Sequence, residues 1–373
     1  MHNQKILVAM SGGVDSAVAA YLLKKEGYDV VGVTMRLYDT PEGEGTPASR
    51  PLCCSPQHYR DAREVAAQLG IRHYTVNYQN DFRERVITPF IATYLQGMTP
   101  SPCILCNSLI KFSKLRRFSH CLGISRVATG HYASNQFDEI TGRHLLAKGR
   151  DAQKDQSYFL FDLEQDQLRD IVFPLGDLTK REVRSLAAEI GLPVADKEES
   201  QEICFVPDGD YARFIDENLE AAPPEAPPRS GHLVLKDGTV VGEHDGIHKF
   251  TVGQRRGLRV ALGFPAYVVG IRRDRNEVVV GRAEEILARR FFITRCNWVA
   301  IPSLEEAIDA DVKIRSRSRP ARAQIRPNGT GGAEVIFQEP QSAITPGQAA
   351  VFYWDNVVVG GGWIYRVEQA NGG

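Results

Sequence analysis

The chain lacks the features of membrane, secreted and highly basic proteins. Its 373 residues contain no run of about eighteen apolar residues, and no cationic start leads into a hydrophobic stretch. The formal net charge is -1, which excludes a protein that coats nucleic acid by bulk charge and leaves only local basic patches for such contacts. We therefore expect a cytoplasmic protein with no membrane partner.

Cysteine is scarce, and its spacing does not suggest a disulfide framework. The seven cysteines are an odd number, so in a reducing compartment we expect buried, metal-binding or catalytic thiols. A zinc site would require a second pair spaced like Cys103 and Cys106, and the adjacent Cys53 and Cys54 do not provide it. We expect a packing role for Cys53 and Cys54.

The segment from Lys5 to Leu23 predicts a strand, a tight loop and a helix. Gly12 and Gly13 allow the backbone to turn sharply, and the N-terminus of the following helix favours an anion. The loop lacks the Gly-Lys-Ser/Thr ending of P-loop NTPases, which disfavours transfer of a terminal phosphoryl group. The loop is therefore predicted to bind phosphate.

The segment Ser11-Gly-Gly-Val-Asp-Ser16 resembles the pyrophosphate loop (PP-loop) of enzymes that cleave ATP to AMP and pyrophosphate. The resemblance implies that the serines and glycines hold the pyrophosphate part and that Asp15 lies near Mg2+. Two later strand ends, at Met35 and at Gly130, are expected to border the same site, because ligands of parallel sheets bind at the carboxyl ends of strands. The residues expected to bind ATP are Ala9, Met10, Ser11, Gly12, Gly13, Val14, Asp15, Ser16, Met35 and Gly130.

The pattern of strands and helices predicts an α/β domain followed by β-rich domains. Up to about residue 205, strand-like and helical segments alternate, which predicts a doubly wound parallel sheet. After a proline-rich segment, Ala221–Gly231, short strands separated by Gly and Asp turns predict two small β domains, the last a β-barrel. The expected domains are 1–207, which binds ATP and is catalytic, 208–285, which is a small central β domain, and 286–373, which binds tRNA.

Cys103 and Cys106 form a Cys-x-x-Cys pair at the predicted start of an amphipathic helix. A helix N-terminus stabilises a thiolate and lowers its pKa, so a reactive sulfur is expected there. Cys204 lies in a short segment between acidic residues and a proline, and by itself it would be interpreted as a buried cysteine.

Seven spaced motifs together resemble the MnmA family of tRNA-specific 2-thiouridylases over nearly the whole chain. They are Ser11–Ser16, Thr99–Pro102 with Ile104–Phe112, Thr129–Tyr132, Lys154–Leu160, Ile203–Phe205, Thr251–Leu258 and Thr345–Gln348. The resemblance implies that the substrate is the wobble uridine in the anticodon stem-loop of tRNA. It also implies that ATP adenylates the C2 oxygen and that a persulfide supplies sulfur, delivered by a sulfur-carrier protein or a cysteine desulfurase.

The resemblance also implies roles for the cysteines. Cys204 would carry the persulfide, Cys106 would be the nucleophile, and a Cys106–Cys204 disulfide would form after turnover and require a reductant. At the position of Cys103 some family members have an aspartate that is proposed to act in acid-base catalysis, so this chain departs from that pattern. The departure leaves open a second route, in which Cys103, Cys106 and Cys204 hold a [4Fe-4S] cluster.

The residues expected to contact tRNA fall in five regions of the sequence. Lys313, Arg315, Arg317 and Arg319 recur with period two, which predicts a basic ridge on one face of a strand or, alternatively, a solvated edge strand. The other regions follow from the family resemblance. The full set is Ser101, Pro102, Cys103, His131, Lys154, Asp155, Gln156, Arg315, Ser316, Arg317 and Gln348.

Two other functions remain as alternatives. A PP-loop ligase that acts on a small molecule would have no use for Cys106, Cys204 and the β-rich C-terminal part. A tRNA-binding protein without catalytic activity would not need an intact Ser11–Ser16 loop or both cysteines.

Overall fold

The computed structural model describes residues 4–38, 56–197, 203–206, 208–219 and 230–369. Cys53, Cys54 and most of the proline-rich segment lie outside these ranges. The chain forms two compact units, of which the first comprises Met1–Val86, Cys103–Gly209 and Asn356–Val358. The second comprises Ile87–Pro102, Asp210–Asp355 and Val359–Gly373. In the part of the chain that the structure describes, no helix is both long and apolar enough to cross a bilayer.

The first unit is built on a five-stranded parallel sheet with the order β3-β2-β1-β4-β7. The unit also contains an antiparallel hairpin, formed by β5 and β6, in which Ala147 pairs with Val357. These strands are β1 (Lys5–Ala9), β2 (Asp29–Arg36), β3 (Arg72–Asn77), β4 (Arg126–Ala128), β5 (Ala133–Asp138), β6 (Arg143–Lys148) and β7 (Ile171–Val172).

Over the described ranges, the α-helices are mostly short and lie mainly in the first unit. They are α1 (Val14–Lys25), α2 (Pro56–Gln68), α3 (Gln79–Phe82), α4 (Thr88–Leu95), α5 (Pro102–Leu105), α6 (Ser113–Cys121), α7 (Gln165–Asp170), α8 (Lys180–Glu189) and α9 (Tyr211–Glu217). A wider, π-helical segment, Cys106–Phe112, joins α5 to α6 without a break.

The core of the first unit explains why β1 reads as an unbroken apolar run. Ile6, Leu7 and Val8 are completely buried, as expected for a central parallel strand that is covered on both faces. On one face α1 packs against this strand through Val14, Ala17, Val18 and other small apolar side chains. The doubly wound sheet predicted from the sequence is confirmed.

The second unit contains two β structures. Four strands form a sheet with the order β10-β11-β8-β9, and six further strands form a barrel that closes where β12 pairs with β17. These strands are β8 (Gly231–Val234), β9 (Val240–His244), β10 (Tyr267–Arg272), β11 (Glu277–Gly281), β12 (Leu287–Trp298), β13 (Ile308–Lys313), β14 (Ala321–Pro327), β15 (Ala333–Ser342), β16 (Ala349–Trp354) and β17 (Val357–Gln369). The predicted C-terminal barrel is confirmed.

The barrel is filled by side chains that alternate along its strands. On β15, Ala333, Val335 and Phe337 are buried, whereas the intervening residues are partly exposed. Phe337 contacts Phe291 of β12, with their ring centroids 5.6 Å apart. The period of two matches strands that have one face in a core, which is the pattern that made this region recognisable in the sequence.

One sequence prediction about secondary structure is wrong. The basic ridge does not lie on a strand, because β13 ends at Lys313 and the chain turns at Arg315–Ser318. The Ser318 amide and hydroxyl both donate to the Arg315 carbonyl, at 3.1 and 2.9 Å, and this closes the turn. Arg315, Arg317 and Arg319 are nevertheless exposed.

The antiparallel hairpin β5–β6 was not foreseen in the α/β region. Its turn is closed by the Asp138 carboxylate, which accepts the Thr141 hydroxyl at 2.6 Å and the amides of Ile140 and Thr141 at 3.3 Å. An acidic side chain that caps its own turn is a local signal for such a hairpin, but the alternation of strands and helices around it masked that signal.

Candidate functional site

The loop between β1 and α1 is held closed by hydrogen bonds between its own residues. The Ser11 amide donates to Ser16 Oγ at 3.1 Å, and the Ser16 hydroxyl donates to the Gly13 carbonyl at 3.0 Å. The two hydroxyl oxygens, Ser11 Oγ and Ser16 Oγ, are 3.3 Å apart. The serines therefore fix the loop in shape before any ligand binds.

Two glycines allow neighbouring backbone to pack tightly against this loop. Gly12 has a φ of +75°, and a Cβ there would lie 2.2 Å from the His58 carbonyl oxygen of α2. Gly130, just after β4, would place a Cβ 2.7 Å from the Asp15 carbonyl carbon and 2.8 Å from the Ser16 amide. The loop is thus held between α2 and the segment after β4. At Gly130 the neighbouring backbone is that of α1.

The N-terminus of α1 is suited to an anion. Its N-cap residue is Gly13, which has no side chain to cap the first amides of the helix. These amides and the helix dipole together favour a phosphate group at this position. Val14 is the first helical residue and is buried, so it anchors the start of the helix.

The Asp15 carboxylate binds two groups that sequence analysis did not identify. Lys180 Nζ donates to its two oxygens at 2.7 and 2.8 Å, and the Tyr132 hydroxyl donates to one of them at 2.7 Å. The Lys180 side chain is 10% exposed and that of Asp15 is 30% exposed. The loop that lacks a P-loop lysine therefore receives a lysine from α8.

Lys180 is held in place by the start of α8. It is the first residue of the helix and follows Thr179, whose side chain forms a reciprocal capping box with Glu182. The Lys180 amide also donates to the Asp151 carboxylate at 2.9 Å. The Thr-x-x-Glu pattern was a readable signal for the helix start, but only the fold shows that the adjacent lysine reaches Asp15.

A second lysine, Lys197, braces the opposite side of the loop. Its ammonium donates to the Gly12 carbonyl at 2.9 Å and pairs with the Asp61 carboxylate of α2. Burial lowers the pKa of the neighbouring His58 to about 4, and the charge of Lys197 acts in the same direction. His58 is therefore neutral near pH 7 beside this cation.

The strand β2 contributes the next part of the same edge. The Thr34 hydroxyl donates to the Met10 carbonyl at 2.7 Å, and its oxygen is 2.8 Å from His73 Nε2. The Met10 amide donates to the Val33 carbonyl, so the residues after Ala9 stay in register with β2. Met35 follows Thr34 and is half-buried at the carboxyl end of β2.

His131 lies in the segment after β4 as a neutral imidazole. Thr129 Oγ1 is 2.7 Å from His131 Nδ1, and the ring lies beside Phe112 with their centroids 5.7 Å apart. Loss of hydration lowers the pKa of His131 to about 3, and the nearby charge of Lys111 acts in the same direction. Near pH 7, His131 can offer a hydrogen bond but not a positive charge.

The Cys-x-x-Cys pair occupies the beginning of a long helical segment, as predicted, but its two thiols differ in environment. Cys103 is the second residue of α5 and is exposed, whereas Cys106 begins the π-helical segment and is only 6% exposed. The influence of a helix N-terminus fades after the first turn, so it favours a thiolate more at Cys103 than at Cys106. The π-helical turn is a feature that often occurs at functional sites.

Cys204 is half-buried on a short turn in which the Val206 amide donates to the Ile203 carbonyl at 2.8 Å. The next residue, Phe205, is buried against Phe82 of α3, with ring centroids 5.7 Å apart. The helix α3 also contacts the π-helical segment that begins at Cys106. The disulfide between Cys106 and Cys204 remains a prediction.

The three cysteines do not form a ready ligand set for a [4Fe-4S] cluster. Cys103 is exposed, Cys106 is buried and Cys204 is intermediate. Over the ranges that the structure describes, no group of three His, Cys, Asp or Glu side chains is arranged to hold a metal ion. For Mg2+ the situation differs, because this ion is commonly bound by one or two carboxylates together with substrate phosphates. Asp15 fits that requirement.

The segment Lys154–Gln156 is attached to the same site by backbone contacts. The Gln156 side-chain oxygen accepts from the Tyr132 amide at 2.9 Å, and the Gln156 amide donates to the Tyr132 carbonyl at 3.0 Å. Asp155 accepts bonds from the amide and hydroxyl of Ser157, both at 3.0 Å. Two of the three residues expected to contact tRNA thus have a structural role within the protein.

In the second unit, Gln348 anchors the loop that precedes Cys103. Its side-chain amide donates to the carbonyls of Thr99 and Pro100 at 3.1 and 2.9 Å, and the Thr99 amide donates to the Pro346 carbonyl. Ser101, which follows, is 8% exposed. A residue expected to bind tRNA therefore also shapes the loop that would meet the target base.

Three family models match successive parts of the chain. A model described as a tRNA methyl transferase HUP domain matches residues 4–208. A tRNA methyl transferase PRC-barrel domain matches residues 224–282, and an aminomethyltransferase beta-barrel domain matches residues 288–364. The order agrees with the parallel sheet, the four-stranded sheet and the barrel described above.

Curated relatives are similar over almost their whole length. A protein of Koribacter versatilis named tRNA-specific 2-thiouridylase MnmA is 48% identical over 97% of this chain and 99% of its own. A protein of the same name from Heliobacterium modesticaldum is 48% identical over 97% of this chain and 93% of its own. A solved 4-thiouridine synthetase in complex with RNA and ATP is 17% identical, covers 58% of this chain and 50% of its own, and has a TM-score of 0.38, too low to indicate function.

We predict that Gln348→Glu loosens the Thr99–Pro102 loop in the absence of tRNA. A carboxylate cannot donate to the Thr99 and Pro100 carbonyls, and the loss of such bonds corresponds to about tenfold faster amide exchange. Hydrogen exchange of peptides that contain Thr99 and Ser101 measures the effect. Gln341→Glu is the control, because Gln341 donates only to the Glu339 carbonyl on the barrel surface. Unchanged exchange in Gln348→Glu would contradict the anchoring role.

Proposed function

The chain belongs to the MnmA family of tRNA-specific 2-thiouridylases, and we propose that it uses ATP to form 2-thiouridine at the wobble position of tRNA. The observation that carries this proposal is the Ser11–Ser16 loop, which its own hydrogen bonds hold closed and which leads into the uncapped start of α1. The loop presents amides to phosphate and has no Gly-Lys-Ser/Thr ending, which favours release of pyrophosphate over transfer of a terminal phosphoryl group.

ATP is proposed to supply a leaving group. The C2 oxygen of uracil leaves poorly, and attack of this oxygen on the α-phosphorus forms an adenylate while the bond to pyrophosphate breaks. The amides of α1 and the Ser11 and Ser16 side chains hold the pyrophosphate part as its charge develops. Asp15 would hold Mg2+, which neutralises phosphate charge when it is bound.

Sulfur transfer is proposed to use Cys204 and Cys106 in sequence. A donor of the persulfide class, either a sulfur-carrier protein or a cysteine desulfurase, loads Cys204 with a second sulfur. The terminal sulfur attacks C2 and AMP leaves, which gives a disulfide between Cys204 and the base. Cys106 then attacks Cys204 Sγ and the electron pair of the broken S–S bond leaves with the thiolated base. The product is a Cys106–Cys204 disulfide, which a dithiol reductant reopens.

Cys103 is proposed to face the base during these steps. Its thiol is exposed in the first turn of α5, so a proton can reach it from solvent. Because it stands where some relatives have a carboxylate, its role is proton transfer and not sulfur transfer. His131 is neutral and can orient the base or the ribose by a hydrogen bond.

The tRNA is proposed to be held by several parts of the chain. Of the three domains 1–207, 208–285 and 286–373, the first is proposed to carry out the reaction and to contact the target base, and the last is proposed to contact the tRNA backbone. The exposed turn that carries Arg315, Ser316 and Arg317 is suited to phosphate contacts, because exposed guanidinium groups on a turn can each reach a backbone phosphate. Ser101 and Pro102 precede Cys103 and are proposed to meet the target base.

We expect AMP and pyrophosphate as the primary products when the chain is incubated with ATP, Mg2+ and unmodified tRNA. Asp15→Ala and Ser16→Ala should each abolish this cleavage, because Ser16 is proposed to bind the pyrophosphate part of ATP and Asp15 its Mg2+. Binding of tRNA, measured by filter retention, should stay within about twofold of the parent chain. ADP and orthophosphate as primary products, or an equal loss of tRNA binding, would overturn the assignment of the loop.

We expect Cys106→Ser and Cys204→Ser to abolish single-turnover formation of 2-thiouridine, because each thiol makes or breaks a required S–S bond. Cys103→Asp should retain substantial thiolation, since a carboxylate replaces only a proton donor. The proteins are prepared without oxygen, and iron is quantified in each. Cys121→Ser is the matched control, because Cys121 is exposed at the end of α6.

Two outcomes of the cysteine experiment would change the mechanism. Activity in Cys106→Ser or Cys204→Ser would exclude the two-cysteine route. An inactive, iron-depleted Cys103→Asp beside an active, iron-replete parent would favour the cluster route, because a carboxylate is a poor replacement for a thiolate ligand of iron.

We expect Arg315→Ala and Arg317→Ala each to weaken tRNA binding and to lower the salt slope of the binding constant by about one. Binding is measured at several salt concentrations, and ATP affinity should not change. Lys5→Ala is the control, because it removes one positive charge at the amino end of β1, opposite the edge that carries the site. A salt slope equal to that of the parent would show that the turn is only solvated.

A further inference from the structure

A lysine outside the Ser11–Ser16 motif places its positive charge against the PP-loop. Lys180, at the start of α8, bonds both oxygens of Asp15 and is almost fully buried. Its ammonium also lies 5.9 Å from the centre of the Tyr132 ring, whose hydroxyl donates to the same carboxylate. Asp15 is the one acidic residue in the first turn of α1.

We infer that Lys180 is a phosphate-binding residue held in reserve by Asp15, and that it exchanges Asp15 for the phosphates of ATP when Asp15 takes up Mg2+. The inference rests on the proposed function, since it concerns the nucleotide of that reaction. It adds a residue that no sequence motif of the loop contains.

The exchange follows from the number of bonds that the carboxylate can make. Both oxygens of Asp15 accept from Lys180, and one of them also accepts from Tyr132, so a metal ion that binds Asp15 competes directly with the ammonium. Two cations on one carboxylate repel each other, so the displaced ammonium, on a side chain that is only 10% exposed, is stabilised by a new anionic partner. A phosphate oxygen at the start of α1 is the nearest new anion that the proposed reaction supplies.

The backbone around Lys180 favours a movement of the side chain alone. The capping box of Thr179 and Glu182 and the bond from the Lys180 amide to Asp151 fix the main chain at this residue. A lysine side chain has a flexible four-carbon stem, so its ammonium can change partners while its Cα stays in place. The loop itself stays fixed by its serines and by the packing of Gly12 and Gly130.

The test measures binding and not turnover. The probe is α,β-methylene-ATP, which cannot be cleaved between the α and β phosphates, and its retention is measured by equilibrium dialysis against the full chain while Mg2+ is titrated. In Lys180→Met we expect half-maximal retention at about tenfold lower Mg2+, because a competing cation has been removed. At saturating Mg2+ the same variant should bind the probe about tenfold more weakly, because it lacks the phosphate contact.

Three further variants distinguish this exchange from a merely structural ion pair. Lys180→Arg keeps the charge and should restore both values to within about threefold of the parent. Tyr132→Phe removes a neutral donor from the same Asp15 oxygen and should leave the Mg2+ midpoint unchanged. Asp15→Asn frees Lys180 from its counter-ion, so it should bind the probe more tightly than the parent does when Mg2+ is absent. This last variant also keeps the inference testable if Lys180→Met does not fold.

An unchanged or raised Mg2+ midpoint in a folded Lys180→Met would overturn the inference, as would weaker binding of the metal-free probe by Asp15→Asn. Neither measurement uses tRNA or a sulfur donor. A parent chain that binds the probe but forms no 2-thiouridine would therefore count against the proposed function alone. A parent that thiolates tRNA while Lys180→Met shows no shift in either value would count against the exchange alone.

Discussion

The tight packing of backbone around the PP-loop is the constraint on which the site depends. Gly12 lies against the carbonyl of His58, and Gly130 lies against the start of α1, so no side chain fits at either position. These contacts bring α2 and the segment after β4 to the same loop. His131 and Tyr132 follow Gly130 directly in the chain. The backbone contact at Gly130 therefore also determines where these two side chains lie.

Charge is arranged around this loop in pairs. Lys180 pairs with Asp15, and Lys197 pairs with Asp61 while it also binds the Gly12 carbonyl. Two histidines in the segments that pack against the loop, His58 and His131, have lowered pKa values and carry no charge near pH 7. Each of these two lysines is therefore already paired with an acidic side chain before a phosphate enters the site.

The sequence predicted the sheet, the barrel and the loop well because each has a local pattern. Buried runs such as Ile6–Val8 and the alternation along β15 follow from which faces are covered, and a glycine pair before a helix indicates a tight turn. What it missed depends on distant contacts. Lys180 is separated from Asp15 by 165 positions in the chain. The prediction that the basic ridge lies on a strand was wrong for a local reason. Basic residues can recur at every second position in a turn as well as in a strand.

The bond between Gln348 and the Thr99–Pro100 backbone joins positions 249 residues apart, and it imposes an order on how the protein becomes competent. On a ribosome that adds about 5 to 20 residues per second, Thr99 is added to the chain about 12 to 50 seconds before Gln348 is. The loop between β1 and α1 can close early, because Ser11 and Ser16 are only five positions apart in the chain. The segment that leads into Cys103 cannot, so a nascent chain can acquire its nucleotide loop well before the loop ahead of Cys103 is anchored.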